Sequence, residues 1–146
     1  MRLLTIGMLA VAMMATSAPA GAYGTARVQQ PDGSVQIYEH VSMVYSDQHL
    51  TITSADGKGV LVISKGACSY IGRLQRCFPY EMYLDQNGQH PLDFEHGTVY
   101  YNPTGDMLTL PYSTTQIPPK GIICSIKTKA GTYISIHGKL DKDQKS

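Results

Sequence analysis

His90, Asp93, Glu95 and His96 place two imidazoles and two carboxylates within a seven-residue stretch. That mixture of ligands suits a borderline divalent metal. Spacing works against it. On a regular strand Asp93 and Glu95 share one face, while His96 falls on the other with Leu92 and Phe94. Only a bend at Pro91 could bring His90 round to join them. A polar turn carrying two histidines is more often simply a turn, so these four residues stand as weak metal candidates. No metal and no other cofactor is expected.

Other chemistry finds less support. Glu81 with Asp85, or Asp93 with Glu95, could act as a carboxylate pair on a sugar, but the long cleft such enzymes use is hard to build in so short a chain. There is no Gly-x-Ser-x-Gly elbow and no His-Glu-x-x-His, and Gly57-Lys58-Gly59 precedes a strand instead of a helix. Met43, Met82 and Met107 are scattered and read as core fillers. The expectation is a protein that is not an enzyme.

Three cysteines occur. Cys68 and Cys77 bracket an eight-residue stretch with Gly72 near its middle, and in an oxidising compartment such a pair is expected to form a disulfide. Cys124 lies on a strand face with Ile122 and Ile126 and reads as a buried thiol. Other pairings, including an intermolecular bridge through Cys124, stay open at this point. The bracketed loop carries Arg73 and Arg76 and is flanked by Tyr70 and Phe78. Aromatics and arginines on a covalently held loop make a candidate binding tip, weighed against a plain solvated hairpin end.

The compartment is read from the start of the chain. Met1-Arg2 is followed by an unbroken apolar and small-residue run from Leu3 to Ala15, and Ala18-Pro19-Ala20 and Ala20-Gly21-Ala22 offer small-x-small cleavage sites. This is the layout of a secretory signal peptide. Residues 1–22 are therefore expected to be a cleaved leader, residues 23–140 one all-β domain, and residues 141–146 a charged, disordered tail. The apolar run is short of the roughly 20 residues needed to span a bilayer, so no transmembrane segment is expected in the mature chain. The location expected is periplasmic or secreted.

Of the 146 residues, 12 are Lys or Arg and 11 are Asp or Glu. Loss of Arg2 with the leader brings the balance to zero, which argues against nucleic acid as a partner. Charge is segregated: no Lys or Arg lies between Cys77 and Pro119, and six lysines follow from Lys120 onward.

Period-two alternation dominates, as half-buried strands require. Val35, Ile37, Val41, Met43 and Tyr45 fall on one face of a long strand, with a bulge or sheet edge expected near Glu39. Ser54-Ala55-Asp56-Gly57 and Asn87-Gly88 are hairpin signals. Val60 to Ile63 reads as a strand buried on both faces. Asn102-Pro103-Thr104-Gly105 reads as a plain turn between Thr98–Tyr101 and Met107–Leu110. Pro111, Pro118 and Pro119 exclude a central strand around them. Ile122 to Lys127 and Thr132 to His137 form a final hairpin about Lys129-Ala130-Gly131. The expected fold is a single small antiparallel β-sandwich or barrel-like domain.

The segment Val41 to Asp56, Val-Ser-Met-Val-Tyr-Ser-Asp-Gln-His-Leu-Thr-Ile-Thr-Ser-Ala-Asp, resembles one repeat of the periplasmic lipopolysaccharide-transport proteins of the organic-solvent-tolerance type. The resemblance covers a single hairpin. It implies an open β scaffold carrying acyl chains on an apolar inner face, and no site residue is carried over from it. The function expected from the residues is that of a non-catalytic exported domain, a binding, accessory or structural protein of the cell envelope or extracellular space, whose partner is another envelope or extracellular protein or a glycolipid. The alternatives are a lipid or glycolipid carrier and a small metal-binding protein or enzyme built on His90 to His96.

Overall fold

Alternating apolar and polar residues fold here into strands alone. The computed structural model describes residues 24–140, and the leader and charged tail expected at either end lie outside the described residues. In chain order the strands are β1 (Gly24–Gln29), β2 (Val35–Tyr45), β3 (His49–Thr53), β4 (Val60–Ser64), β5 (Ala67–Ile71), β6 (Leu74–Phe78), β7 (Glu81–Tyr83), β8 (Phe94–Tyr101), β9 (Leu108–Thr109), β10 (Gln116–Ile117), β11 (Gly121–Thr128) and β12 (Tyr133–Lys139). Ten of them make one antiparallel sheet in the order β5-β6-β8-β11-β12-β1-β2-β3-β4-β7, and β9 and β10 pair separately.

The sheet curls into a half-barrel around one core, so of the two architectures expected it is the barrel-like one that forms. Antiparallel register stacks Cys77, Val99, Cys124, Ile136, Ala26 and Tyr38 in a row across six strands. All six are buried. A second row runs Tyr45, Leu50, Ile63, Met82 from β2 to β7. The curl brings the rows face to face. Met82 of β7 lies against Gly97 of β8, where an added Cβ would meet its methyl at 2.9 Å. Tyr45 of β2 meets Tyr101 of β8 with ring centres 4.6 Å apart.

The bulge expected near Glu39 is one residue later and has a larger effect. Thr25 pairs with Glu39 and Gly24 with Val41, so His40 is the extra residue, with φ at 60°. It resets the alternation. Before it Tyr38 points inward and Ile37 is 54% exposed; after it Val41, Met43 and Tyr45 point inward. Val35 and Ile37 are thus on the outer face, contrary to the sequence expectation, because a strict period of two was carried through the bulge.

Two further segments differ from what alternation predicts. Val60 to Ile63 alternates in burial instead of burying both faces, since the sheet has solvent on its convex side. Residues 102–105 do not form a plain turn. Strand β8 pairs with β11 and β6, and the chain makes an excursion from residue 102 to residue 120 that carries β9 and β10. The Asp56-Gly57 turn and the final β11–β12 hairpin form as expected, with Gly57 and Gly131 at φ 78° and 93°.

Candidate binding surface

The β5–β6 hairpin ends the sheet at one side. Ile71 pairs with Leu74 across a two-residue loop. Gly72 has φ 61° and Arg73 is not among the positive-φ residues, the pattern of a type II′ turn, which favours glycine at its first position. Cys68 pairs directly with Cys77, and their sulfurs are joined in the expected disulfide with Cα atoms 4.0 Å apart. So close a separation belongs to the non-hydrogen-bonded class of antiparallel pair. The N–H and C=O of Cys68 and Tyr70 therefore point away from β6, to the open edge of the sheet.

The four candidate tip residues divide between the two faces. Tyr70 shares a face with Cys68, Gln75 and Cys77, whereas Arg76 and Phe78 share the opposite one. Tyr70 is 62% exposed and Phe78 48% exposed. The Arg76 guanidinium lies 4.8 Å from the centre of the Phe78 ring. Arg73 reaches the Asp106 carboxylate at 2.9 Å, an exposed ion pair that fastens the turn to the 102–120 excursion.

Beneath Tyr70 lies a group that the sequence did not announce. The Tyr45 hydroxyl donates to Gln75 Oε1 and lies 3.6 Å from the Cys77 sulfur. Lys65 Nζ sits 3.7 Å from the centre of the Tyr45 ring and donates to the Ser46 carbonyl at 2.6 Å. Burial pushes the Tyr45 phenol above its ordinary range, with neighbouring Tyr101 and Tyr70 adding to the effect. Burial also pulls the Lys65 ammonium below its ordinary value, against the opposing pull of Asp47. Nothing in the run Ile63-Ser64-Lys65 marks this lysine as buried. It follows a core strand directly, and that adjacency is the only signal.

The candidate metal ligands are drawn into separate contacts. His90 Nδ1 lies 3.1 Å from Asp85 Oδ2. Burial alone would raise the Asp85 carboxyl, but hydrogen bonds from His90 and Gln89 outweigh it and hold it below the usual carboxylate value. Glu95 pairs with Lys127 across β8 and β11 at 3.0 Å, and that lysine's hydrogen bond and charge hold its carboxyl low. The Asp93 carbonyl accepts from the Lys129 amide at 3.2 Å. His96 is exposed on β8. Among the described residues no group of three or more His, Cys, Asp or Glu side chains comes together.

Cys124 is fully buried in the transverse row, and burial pushes its thiol up to about 12. At neutral pH it has almost no thiolate, the form that reacts. The hairpin Val41 to Asp56 turns Val41, Met43, Tyr45, Leu50 and Ile52 into the core. The apolar cleft beside it holds about 30 Å³, against the ~300–1,000 Å³ of sites that enclose small molecules.

No family model matches the chain, and neither a curated protein nor a solved structure does. Among the described residues no helix is long and apolar enough to cross a membrane.

Proposed function

We propose that this chain is an exported, non-catalytic binding domain that takes up an extended segment of another envelope or extracellular protein along β5. The observation that carries this reading is the open edge of β5 held in a covalently locked hairpin. Edge strands are templates for pairing, and proteins usually blunt them with charge, proline or cover. Here the residues at the edge are Cys68, Ser69 and Tyr70, and the disulfide removes much of the entropy that an incoming strand would otherwise have to overcome. Main-chain hydrogen bonds would supply affinity in such a strand addition, and alternate side chains specificity. Tyr70 on one face and the Arg76–Phe78 stack on the other offer the aromatic and arginine anchors that dominate interfaces. The buried thiol and the paired His90 and Glu95 supply no competing reactive centre. The apolar leader at residues 1–22 supports export.

The experiment is site-specific photocrosslinking in cells that export the protein. A photoreactive residue at Ser69 is compared with one at Ile37, which is exposed on the outer face of β2. The expected result is one discrete adduct from position 69 and none from position 37. Tyr70→Pro, which removes an outward N–H without touching the β5–β6 bonds, abolishes it. Equal labelling from both positions, labelling of glycolipid instead of protein, or an adduct indifferent to Tyr70→Pro overturns the reading. Recovery of the uncleaved chain in the cytoplasm overturns the export half of it.

A further inference from the structure

At the other end of the sheet, β7 does not meet β8 along its length. The return segment Pro91–Leu92 covers the outer side of β7, through the Leu84 amide to His90 carbonyl bond at 2.8 Å and the Leu92 amide to Met82 carbonyl bond at 2.9 Å. Phe94 then starts β8, and the Lys129 amide holds the Asp93 carbonyl from the β11–β12 turn. Between these walls lies a slot of about 330 Å³. Buried Met82 and Leu92 line it, with Tyr80, Tyr83 and Phe94 as its aromatic residues and Glu81 and Asp93 as its carboxylates. Its volume falls at the low end of the ~300–1,000 Å³ typical of small-ligand sites.

We propose that this slot is a second site, independent of the β5 edge, that binds a weakly hydrated organic cation: a guanidinium or substituted ammonium group. The walls are fixed by backbone hydrogen bonds, so little ordering is needed on binding. Neither carboxylate has a cation within 4.0 Å among the described residues, although Lys129 also lines the slot; Glu81 accepts only the Tyr83 hydroxyl, at 3.1 Å. Two negative charges against one positive leave the slot net negative. Aromatic faces attract cations through the ring quadrupole. They offer no lone pair to a hard metal ion, which asks for six or more oxygens. Carboxylates together with aromatic side chains in the lining therefore favour a soft, bulky cation over calcium. Guanidinium is more weakly hydrated than a primary ammonium and stacks on rings as well as pairing with carboxylates.

Proton NMR of the exported protein titrated separately with N-acetylarginine amide, tetramethylammonium and calcium chloride tests this. The expected result is saturable upfield shift of both organic probes. Glu81→Gln with Asp93→Asn weakens binding roughly tenfold. Tyr80→Ala, at a residue 65% exposed and so safe for folding, weakens it several-fold. Lys129→Ala strengthens it. Arginine amide stronger than tetramethylammonium marks a basic side chain as the natural occupant, and the reverse order marks a small amine; both orders uphold the slot as a cation site. No saturable shift, binding unmoved by the carboxylate variant, or calcium binding in preference overturns the proposal. Because the β5 edge is untouched by these variants, its crosslink serves as the separate readout.

Discussion

Lys65 Nζ stands 3.7 Å above the Tyr45 ring although the lysine is only 6% exposed. The ring face and the Ser46 carbonyl compensate the charge, and its lost hydration opposes both. The ammonium is therefore less favoured in the folded chain than in the unfolded one. Below the folded pKa of Lys65 the fold carries the whole penalty. Between that pKa and the ordinary value of 10.5 the unfolded chain holds more protons, so stability rises with pH in that window. Tyr45, raised from 10.0, acts in the opposite sense above pH 10: its contribution is full below that value and is lost as pH climbs towards the folded pKa. Lys65→Met removes the first effect and leaves the second. Urea unfolding of both proteins at stepped alkaline pH should show wild type gaining on the variant as pH approaches 10.5. A pH-independent difference rejects this account.

Asn102 is fully buried, and its side chain organises the 102–120 excursion. Its amide donates to the carbonyls of Asp106, Ile117 and Pro118 at 2.7, 2.9 and 3.1 Å. Its oxygen accepts from the Thr104 amide and hydroxyl at 2.9 and 2.6 Å. Asn102→Ala should cost about 2–4 kcal/mol in chemical denaturation, since several buried groups lose their partners. Asn102→Asp should cost more, because an acceptor then faces three carbonyls.

Two glycines should respond differently to alanine. At Gly66 a Cβ would lie 2.5 Å from the Phe78 carbonyl oxygen, and φ is +65°. At Gly97 the nearest atom is the Met82 methyl, the end of a flexible chain. Gly66→Ala should lower stability by at least about 2 kcal/mol, and Gly97→Ala by about 1 kcal/mol or less. Thermal melts of the two variants decide it; a reversed order would mean that β7 cannot give way at Gly97.

The thiols should titrate in steps. Iodoacetamide should label nothing in the native oxidised protein, Cys124 alone after unfolding, and all three cysteines after unfolding with reductant. Opening the Cys68–Cys77 loop should cost about 2–3 kcal/mol in the chain-entropy description. Amide exchange should quicken first at Ser69 and Arg76, whose ladder bonds the disulfide protects. Native labelling of Cys124 would contradict its burial.

Alternation made much of this fold legible. Leu50 and Ile52, the Asp56-Gly57 turn and the β11–β12 hairpin stand in the sequence as they stand in the structure, because each is local. What was not legible depended on distant chain. β1 turns only Gly24, Ala26 and Val28 inward, two of them with little or no side chain, too few to mark a strand without its neighbours. The phase of β2 turned on His40, a residue type with no turn signature. Asn102 sat in an ordinary-looking Asn-Pro turn, and nothing nearby in sequence shows that three carbonyls from residues 106 to 118 converge on it. At the hairpin, the disulfide followed from spacing, but the division of Tyr70 from Arg76 and Phe78 required the register of β5 on β6. The slot between β7 and β8 joins residues 80–83 to 91–94 and 129, and such a meeting leaves no local trace.

The place of β1 in the sheet sets the order in which the molecule can be completed. β1 is seated between β2 and β12, and Thr25 pairs with His137. The earliest strand thus waits for the latest, and the closing loop spans most of the chain. Such long-range pairing slows folding. Until β12 arrives, β1 has one free edge and the row through Ile136, Ala26 and Tyr38 is interrupted at its centre. The half-barrel therefore cannot close around its core until β12 has taken its place, so everything from β2 to β11 must wait, already paired or still searching, on a single late zipper.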